Sequence, residues 1–146
     1  MANDTRCVFC GKSVSPFRRT NVLCGKTHEP SCRDCSKEME SLPHTERCRR
    51  ALQRGLANRP ELLREYIEVT QSAEDHRPTC GCGGKLRFME EQNFDNTPHS
   101  DSIFHGSFDV LPAWCEDCAR LEFFHPTAAR KNPFLAHLIE KDTGNT

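Results

Sequence analysis

The chain has 146 residues, a formal net charge of −1 and ten cysteines, a length that suits one domain or two small ones. Leu, Ile, Val and Phe together make up 28 residues, near the level below which a chain struggles to build a core, while the low net charge argues against simple disorder. Something other than apolar burial must close the fold. Structural metal or disulfides are the usual answers for units below about 80 residues. The start, Ala2-Asn3-Asp4-Thr5-Arg6, is polar rather than an apolar signal segment, and the cysteines fall in close pairs. Both facts favour zinc in a reducing, cytoplasmic compartment over disulfides. No apolar run approaches membrane-spanning length, so no membrane partner is expected. Residues 1–60 carry net +6 and residues 61–146 net −7, which suggests an acidic partner for the first part or pairing between the two.

In chain order, residues 1–58 hold most of the candidate ligands: Cys7-Val8-Phe9-Cys10, then Cys24 and His28, then Cys32-Arg33-Asp34-Cys35, then His44 and Cys48. A Cys-x-x-Cys turn aims two thiolates at one point, and tetrahedral Zn²⁺ needs two such donor pairs. Ser36–Leu42 is built of helix formers and stops at Pro43. Glu46–Ala57 reads as a second helix weakened by Gly55. Residues 59–79 begin with Pro60 in the first turn of a helix running to Ser72, with Leu62, Leu63, Tyr66, Ile67 and Val69 as its apolar stripe; Ser72–Thr79 reads as a polar linker. Residues 80–125 open with Cys80-Gly81-Cys82, lead into an alternating strand at Lys85–Met89, and pass through a polar loop at Asn93–Ser102. Strands are expected at Ile103-Phe104 and Phe108–Trp114, then the pair Cys115-x-x-Cys118, then a strand at Leu121–Phe124. Residues 126–146 form a short helix from Pro133 and a tail.

The four thiolates Cys80, Cys82, Cys115 and Cys118 leave no open coordination position, as in structural zinc sites. This segment resembles the small zinc-ribbon family, with Cys-x-Cys where that family begins Cys-x-x-Cys-Gly-Gly. The resemblance implies a fold, not an activity. Residues 7–48 resemble the RING-like treble-clef fingers, most closely in the central run Cys24-Gly25-Lys26-Thr27-His28-Glu29-Pro30-Ser31-Cys32-Arg33-Asp34-Cys35. In that family's cross-brace the first and third pairs share one zinc and the second and fourth the other. The resemblance therefore implies one site from Cys7, Cys10, Cys32 and Cys35, and another from Cys24, His28, His44 and Cys48. It also implies that Phe9 contacts a ubiquitin-type conjugating enzyme and that Arg49 clasps the modifier. The last pair departs from the family, being His-x-x-x-Cys in place of Cys-Pro-x-Cys. A second resemblance, of Cys7-Val8-Phe9-Cys10-Gly11-Lys12-Ser13 to the protein-recognising zinc module of the ClpX unfoldase, implies only the Cys7/Cys10/Cys32/Cys35 site and leaves Cys24 and Cys48 as spare thiols. Both pairings stay open, with three Zn²⁺ in all on the first and two on the second.

Catalysis is not expected of these residues. A zinc deaminase needs His-x-Glu together with Pro-Cys-x-x-Cys at an open metal site; His44-Thr45-Glu46 has the first spacing, but no Pro-Cys-x-x-Cys occurs and the cysteine pairs are already used. Only three residues separate His28 from Cys32, which leaves no room for a His-Asn-His nuclease insert. Redox use of Cys-x-x-Cys needs a βαβ setting. Nucleic-acid binding is the competing function, through Arg18, Arg19, Arg50 and Arg54 with Arg47, Arg49 and Arg59, and with Phe17 placed to stack on a base. Against it stand the overall pI of about 6.6 and the acidic second part. The expectation is a small α+β zinc-binding protein: a RING-like treble clef, a connecting helix and a C-terminal zinc ribbon, serving as a non-catalytic protein-recognition module.

Overall fold

The computed structural model describes residues 4–96 and 106–144; the expected strand at Ile103-Phe104 and the end of the expected loop at Asn93–Ser102 lie outside the described residues. The chain divides into two compact units, Met1–Gln71 and Ser72–Thr146.

In the first unit, Cys7 opens a tight turn in which Gly11 N–H donates to Cys7 C=O at 2.8 Å and Cys7 N–H to Lys12 C=O at 2.8 Å. Gly11 sits at φ +76°, a left-handed conformation that costs glycine nothing. A hairpin follows, formed by β1 (Thr20–Cys24) and β2 (Thr27–Ser31) and paired from Thr20↔Ser31 to Cys24↔Thr27. Its two-residue loop puts Gly25 at φ +62°, as a hairpin turn with glycine at its first central position requires. A Cβ on Gly25 would come within 2.9 Å of the Tyr66 ring. The chain then enters α1 (Arg33–Glu40), with Cys32 as its N-cap, followed by α2 (His44–Gln53) and α3 (Pro60–Ser72). The buried faces of these elements close a core of Val8, Val22, Cys24, Met39, Cys48, Ala51 and Leu63. The carboxylate of Glu29 is fully buried in this unit. It accepts from Thr27 Oγ1 at 3.1 Å and from Asn58 N and Nδ2 at 3.0 and 2.9 Å, the pairing that a buried charge demands.

The second unit is a four-stranded antiparallel sheet covered on one face. Its strands are β3 (Leu86–Phe88), β4 (Gln92–Asn96), β5 (Gly106–Cys115) and β6 (Leu121–Phe124). The central strand β5 pairs with the other three, in the order β3-β5-β4 with β6 also on β5. The register shifts by one between Phe88↔Ala113 and Gln92↔Val110, so Met89–Glu91 carry one extra residue, a bulge. Pro112 is tolerated inside the central strand because its C=O accepts from Met89 N–H at 2.8 Å. Its missing N–H therefore faces the bulge rather than a regular ladder position. The polar loop expected from Asn93 begins instead as strand β4. The helices α4 (Pro126–Arg130) and α5 (Pro133–Thr143) complete the unit, and Leu86, Phe88, Leu111, Ala113, Ala129, Leu138 and Ile139 form its core.

The stretch expected as a polar linker, Ser72–Thr79, is a 3-10 turn at Ala73–His76 leading to a buried arginine. The Arg77 guanidinium, 0 % exposed, pairs with Glu74 and with Asp142 on α5, and it donates to Leu86 C=O at 3.0 Å. Asp142 also accepts from Phe88 N–H at 2.9 Å. One buried cation thus ties the turn, the sheet and the last helix together.

Candidate metal centres

Among the described residues, two groups of metal-ligating side chains converge: Cys7, Cys10, Cys32 and Cys35, and Cys80, Cys82, Cys115 and Cys118. Within each group all four sulfurs lie within 4.8 Å of one another. Cys10 Sγ and Cys32 Sγ are 3.8 Å apart, Cys80 and Cys118 3.7 Å, and Cys82 and Cys115 3.5 Å. Four thiolates about 2.3 Å from a tetrahedral Zn²⁺ stand about 3.8 Å from each other, whereas bonded sulfurs lie about 2.05 Å apart. The donor sets match zinc, and all ten cysteines are free of disulfides.

Each cluster is held by local backbone chemistry. In the first, Cys32 caps α1 and Cys35 lies in its first turn, so both sulfurs sit at the positive end of the helix dipole. Burial raises the Cys7 thiol, but donation from the backbone N–H groups of Cys32, Cys10 and Phe9 outweighs it and brings the group down to about 6. Burial and the sulfurs of Cys32 and Cys10 push Cys35 up. In the second cluster, the backbone N–H groups of Cys118 and Asp117 bring Cys115 down to about 7 against the effect of burial. Donation from Gly84 N–H lowers Cys82, but the facing sulfurs of Cys115 and Cys118 raise it to about 12. One sulfur per cluster is thus favoured as a thiolate, Cys7 in the first and Cys115 in the second, while Cys35 and Cys82 are held towards the protonated form. A dication removes the repulsion that keeps them protonated, so binding is coupled to proton release. Gly84 is there for space: a Cβ would stand 2.5 Å from Cys115 Sγ and 2.9 Å from Asp117 Cβ.

The other four expected ligands are not brought together. Besides the two tetracysteine groups, no three ligand atoms converge among the described residues, and a third zinc is not indicated. The reason is hairpin parity. Cys24 pairs with Thr27 on the buried face, which puts His28, the next residue, on the exposed face opposite Leu23. His44 starts α2 and lies half-buried, its ring centroid 6.2 Å from that of Tyr66. Cys24 and Cys48 are fully buried in the core. Burial pushes Cys24 up to about 12, reinforced by Cys48 and Glu29, and Cys48 to about 11. They are neutral thiols that pack as small hydrophobes.

The expected contact residues divide likewise. Phe9 is half-buried against the first core. Arg49 is exposed and within 3.7 Å of Glu46. Arg50 is held by Glu38 at 2.8 Å and Glu46 at 3.2 Å, and Arg47 donates to the C=O groups of Leu42 and Leu23. Arg47, Arg49 and Arg50 are therefore engaged within the unit. Arg18, Arg19 and Arg54 are exposed. A feature that single residues did not suggest is an exposed aromatic face on the second unit's sheet. Phe94 stacks on Phe108 across β4 and β5 at 5.5 Å, and Trp114 pairs with Leu121 and Pro112 with Phe123 across β5 and β6. Alternation along β5 puts all of these on the side away from Leu111 and Ala113. Phe123 is 62 % and Phe108 58 % exposed. No helix among the described residues is long and apolar enough to cross a membrane. Comparison with protein-family models, with curated proteins and with solved structures gives no match.

Proposed function

We propose that this chain is a two-zinc, non-catalytic recognition protein that docks a protein partner through the aromatic sheet face of its second unit. The observation that carries the reading is that face: Phe94, Phe108, Trp114, Leu121 and Phe123 form one apolar surface on a unit whose own core lies on the other side. Contiguous exposed aromatics of this size mark contact surfaces. Residues 72–146, the second unit, carry net −5, which disfavours a phosphate backbone at this surface and favours a protein whose contact patch is apolar and not acidic. The zinc clusters are scaffolds in this account. Four thiolates apiece leave no position for a water or substrate.

Knuckle, hairpin, then a helix carrying the last cysteine pair at its N-terminus supports a treble-clef assignment for the first unit. Two knuckles at the ends of an antiparallel sheet support a zinc-ribbon assignment for the second. The ligase version, with Phe9 against a conjugating enzyme, has less support, because Phe9 packs inward and Cys24, His28, His44 and Cys48 do not converge.

The test places a photo-crosslinking residue at Leu121 and, as a control, at exposed Lys37. A discrete protein adduct from Leu121, absent from Lys37 and lost in a Trp114→Ser, Phe123→Ser chain that keeps both zinc ions, supports docking. Adducts that ignore those substitutions refute it.

A further inference from the structure

The first unit carries a second surface that protein docking leaves unexplained. On the outer face of the β1–β2 hairpin a cleft of about 500 Å³ is lined by Asp4, Arg6, Arg19, Asn21, His28 and Leu56 among others, a volume within the range of ligand sites. Asp4 is spoken for: Arg6 lies 3.5 Å from it and the Ser13 hydroxyl donates to it. The Glu29 carboxylate is buried on the opposite face of the hairpin. That leaves Arg19, Asn21 and His28 presenting donors to the cleft. Hairpin parity, which takes His28 away from Cys24, delivers it here.

Two residues before Arg19 stands Phe17, 97 % exposed. It is displayed by a turn in which Arg18 N–H donates to Ser15 C=O at 2.9 Å, with Pro16 fixing the turn's first central position. Three residues of chain span at most about 10 Å, which puts Phe17 within reach of an extended ligand seated in the cleft. A bare aromatic beside cations and amide donors is the combination that holds single strands: the ring stacks on any base while the cations follow the phosphates. The net +4 of residues 1–71, the first unit, adds attraction for a polyanion.

We infer that the first unit binds single-stranded nucleic acid, with a phosphate in the cleft at Arg19, Asn21 and His28 and the adjoining base stacked on Phe17. This moves the interface away from the Arg47–Arg59 segment, whose Arg47, Arg49 and Arg50 are held within the unit.

The experiment is fluorescence anisotropy of the zinc-loaded full chain with labelled oligo-dT and oligo-U 12-mers across a salt series. Binding should weaken about tenfold in Phe17→Ala, where a stacking platform is lost. In Arg19→Ala the log–log salt slope should flatten by about 0.7, one phosphate contact fewer on a single strand. An Arg19→Ala, His28→Ala chain should lose measurable binding, while Arg49→Ala should bind as wild type. All these side chains are exposed, and a count of two zinc ions in each variant checks the fold. Failure of both oligonucleotides to bind overturns the inference, as does affinity within twofold of wild type in the Phe17 and Arg19 variants. Competition by a phosphoserine peptide at the same concentration as by unlabelled oligonucleotide overturns it in favour of a phosphopeptide site. None of these outcomes bears on the sheet face of the second unit, so the two readings fail separately.

Discussion

The two clusters reach the same four-sulfur arrangement from different materials. In the first, one cysteine pair comes from a knuckle and the other from the cap and first turn of a helix, and no member is fully exposed. In the second, both pairs come from knuckles at the ends of strands, and Cys82 and Cys118 are exposed. A helix supplies partial positive charge and cover; a pair of knuckles supplies neither. The comparison teaches that matched sulfur geometry does not mean matched protection of the metal. The second zinc should leave first.

The largest effects come from breaking each cluster alone. Structural zinc contributes on the order of 10 kcal/mol to small domains. Native mass spectrometry should therefore count two zinc ions in wild type and one in Cys7→Ser or Cys115→Ser, with the matching unit unfolding. Cys24→Ser should keep both, since Cys24 belongs to the core and not to a cluster. Loss of a zinc in Cys24→Ser would restore the cross-brace. Chelator added in steps should empty the second unit before the first. Gly84→Ala should act like loss of a ligand, because its Cβ would occupy space 2.5 Å from Cys115 Sγ. Gly25→Ala should destabilise the hairpin against Tyr66 yet leave two zinc ions in place.

How far the sequence revealed these sites follows the same division. Cysteine spacing identified the pairs of both clusters, because the constraint within a pair is local: two thiols a turn apart can serve one metal whatever the rest of the chain does. That Cys7 and Cys10 share a group with Cys32 and Cys35 came from the family resemblances. Helix α3 was legible from Pro60 and its apolar stripe. The pairing of Cys24 with His28 misled because ligand spacing says nothing of strand parity, and Gly25-Lys26, read as spacer between ligands, is a hairpin loop. Arg77 was missed for a related reason. A charged residue in a polar stretch reads as linker until Asp142, 65 residues away, is seen to bury it. The aromatic sheet face was hidden because its members lie on three strands whose register no single segment encodes.

The next effect in size concerns what supports the second cluster from behind. Asp142 is 6 % exposed and Arg77 fully buried, so Asp142→Ala leaves the buried guanidinium with Glu74 alone and Phe88 N–H without its acceptor, and should cost about 3 kcal/mol, read by denaturant melts of the zinc-loaded chain. Hydrogen bonding to Arg77, aided by Lys141, holds the Glu74 carboxyl well below its usual range. A depressed carboxylate contributes stability above its unfolded value of about 4.3, and that stability is lost as pH falls through and below it. Wild type should therefore exceed Glu74→Gln by a constant margin above about pH 5, and the margin should close as the solution is acidified. A margin that widened in acid would reverse the assigned sign.

The smallest prediction bears on the knuckles themselves. The residue after the second cysteine is left-handed in all three: Gly11 at φ +76°, Gly83 at +90° and Ala119 at +59°. Two of the three are glycine, and the third bears the strain of an L-residue there, about 1 kcal/mol or slightly more, partly offset by the entropy that glycine would lose on folding. Ala119→Gly should thus stabilise the second unit by about 0.5 kcal/mol, a rise of roughly 2–4 °C in its melting temperature. Gly11→Ala should cost the first unit a similar amount, since its Cβ would meet only ordinary contacts at 3.6 Å and beyond. Opposite signs at Ala119 and Gly11 would show that backbone handedness, and not the cover around each cluster, governs the knuckles. No gain at Ala119 beside a loss at Gly11 would show instead that the exposed knuckle relaxes its strain into solvent, which the better-covered first cluster cannot do.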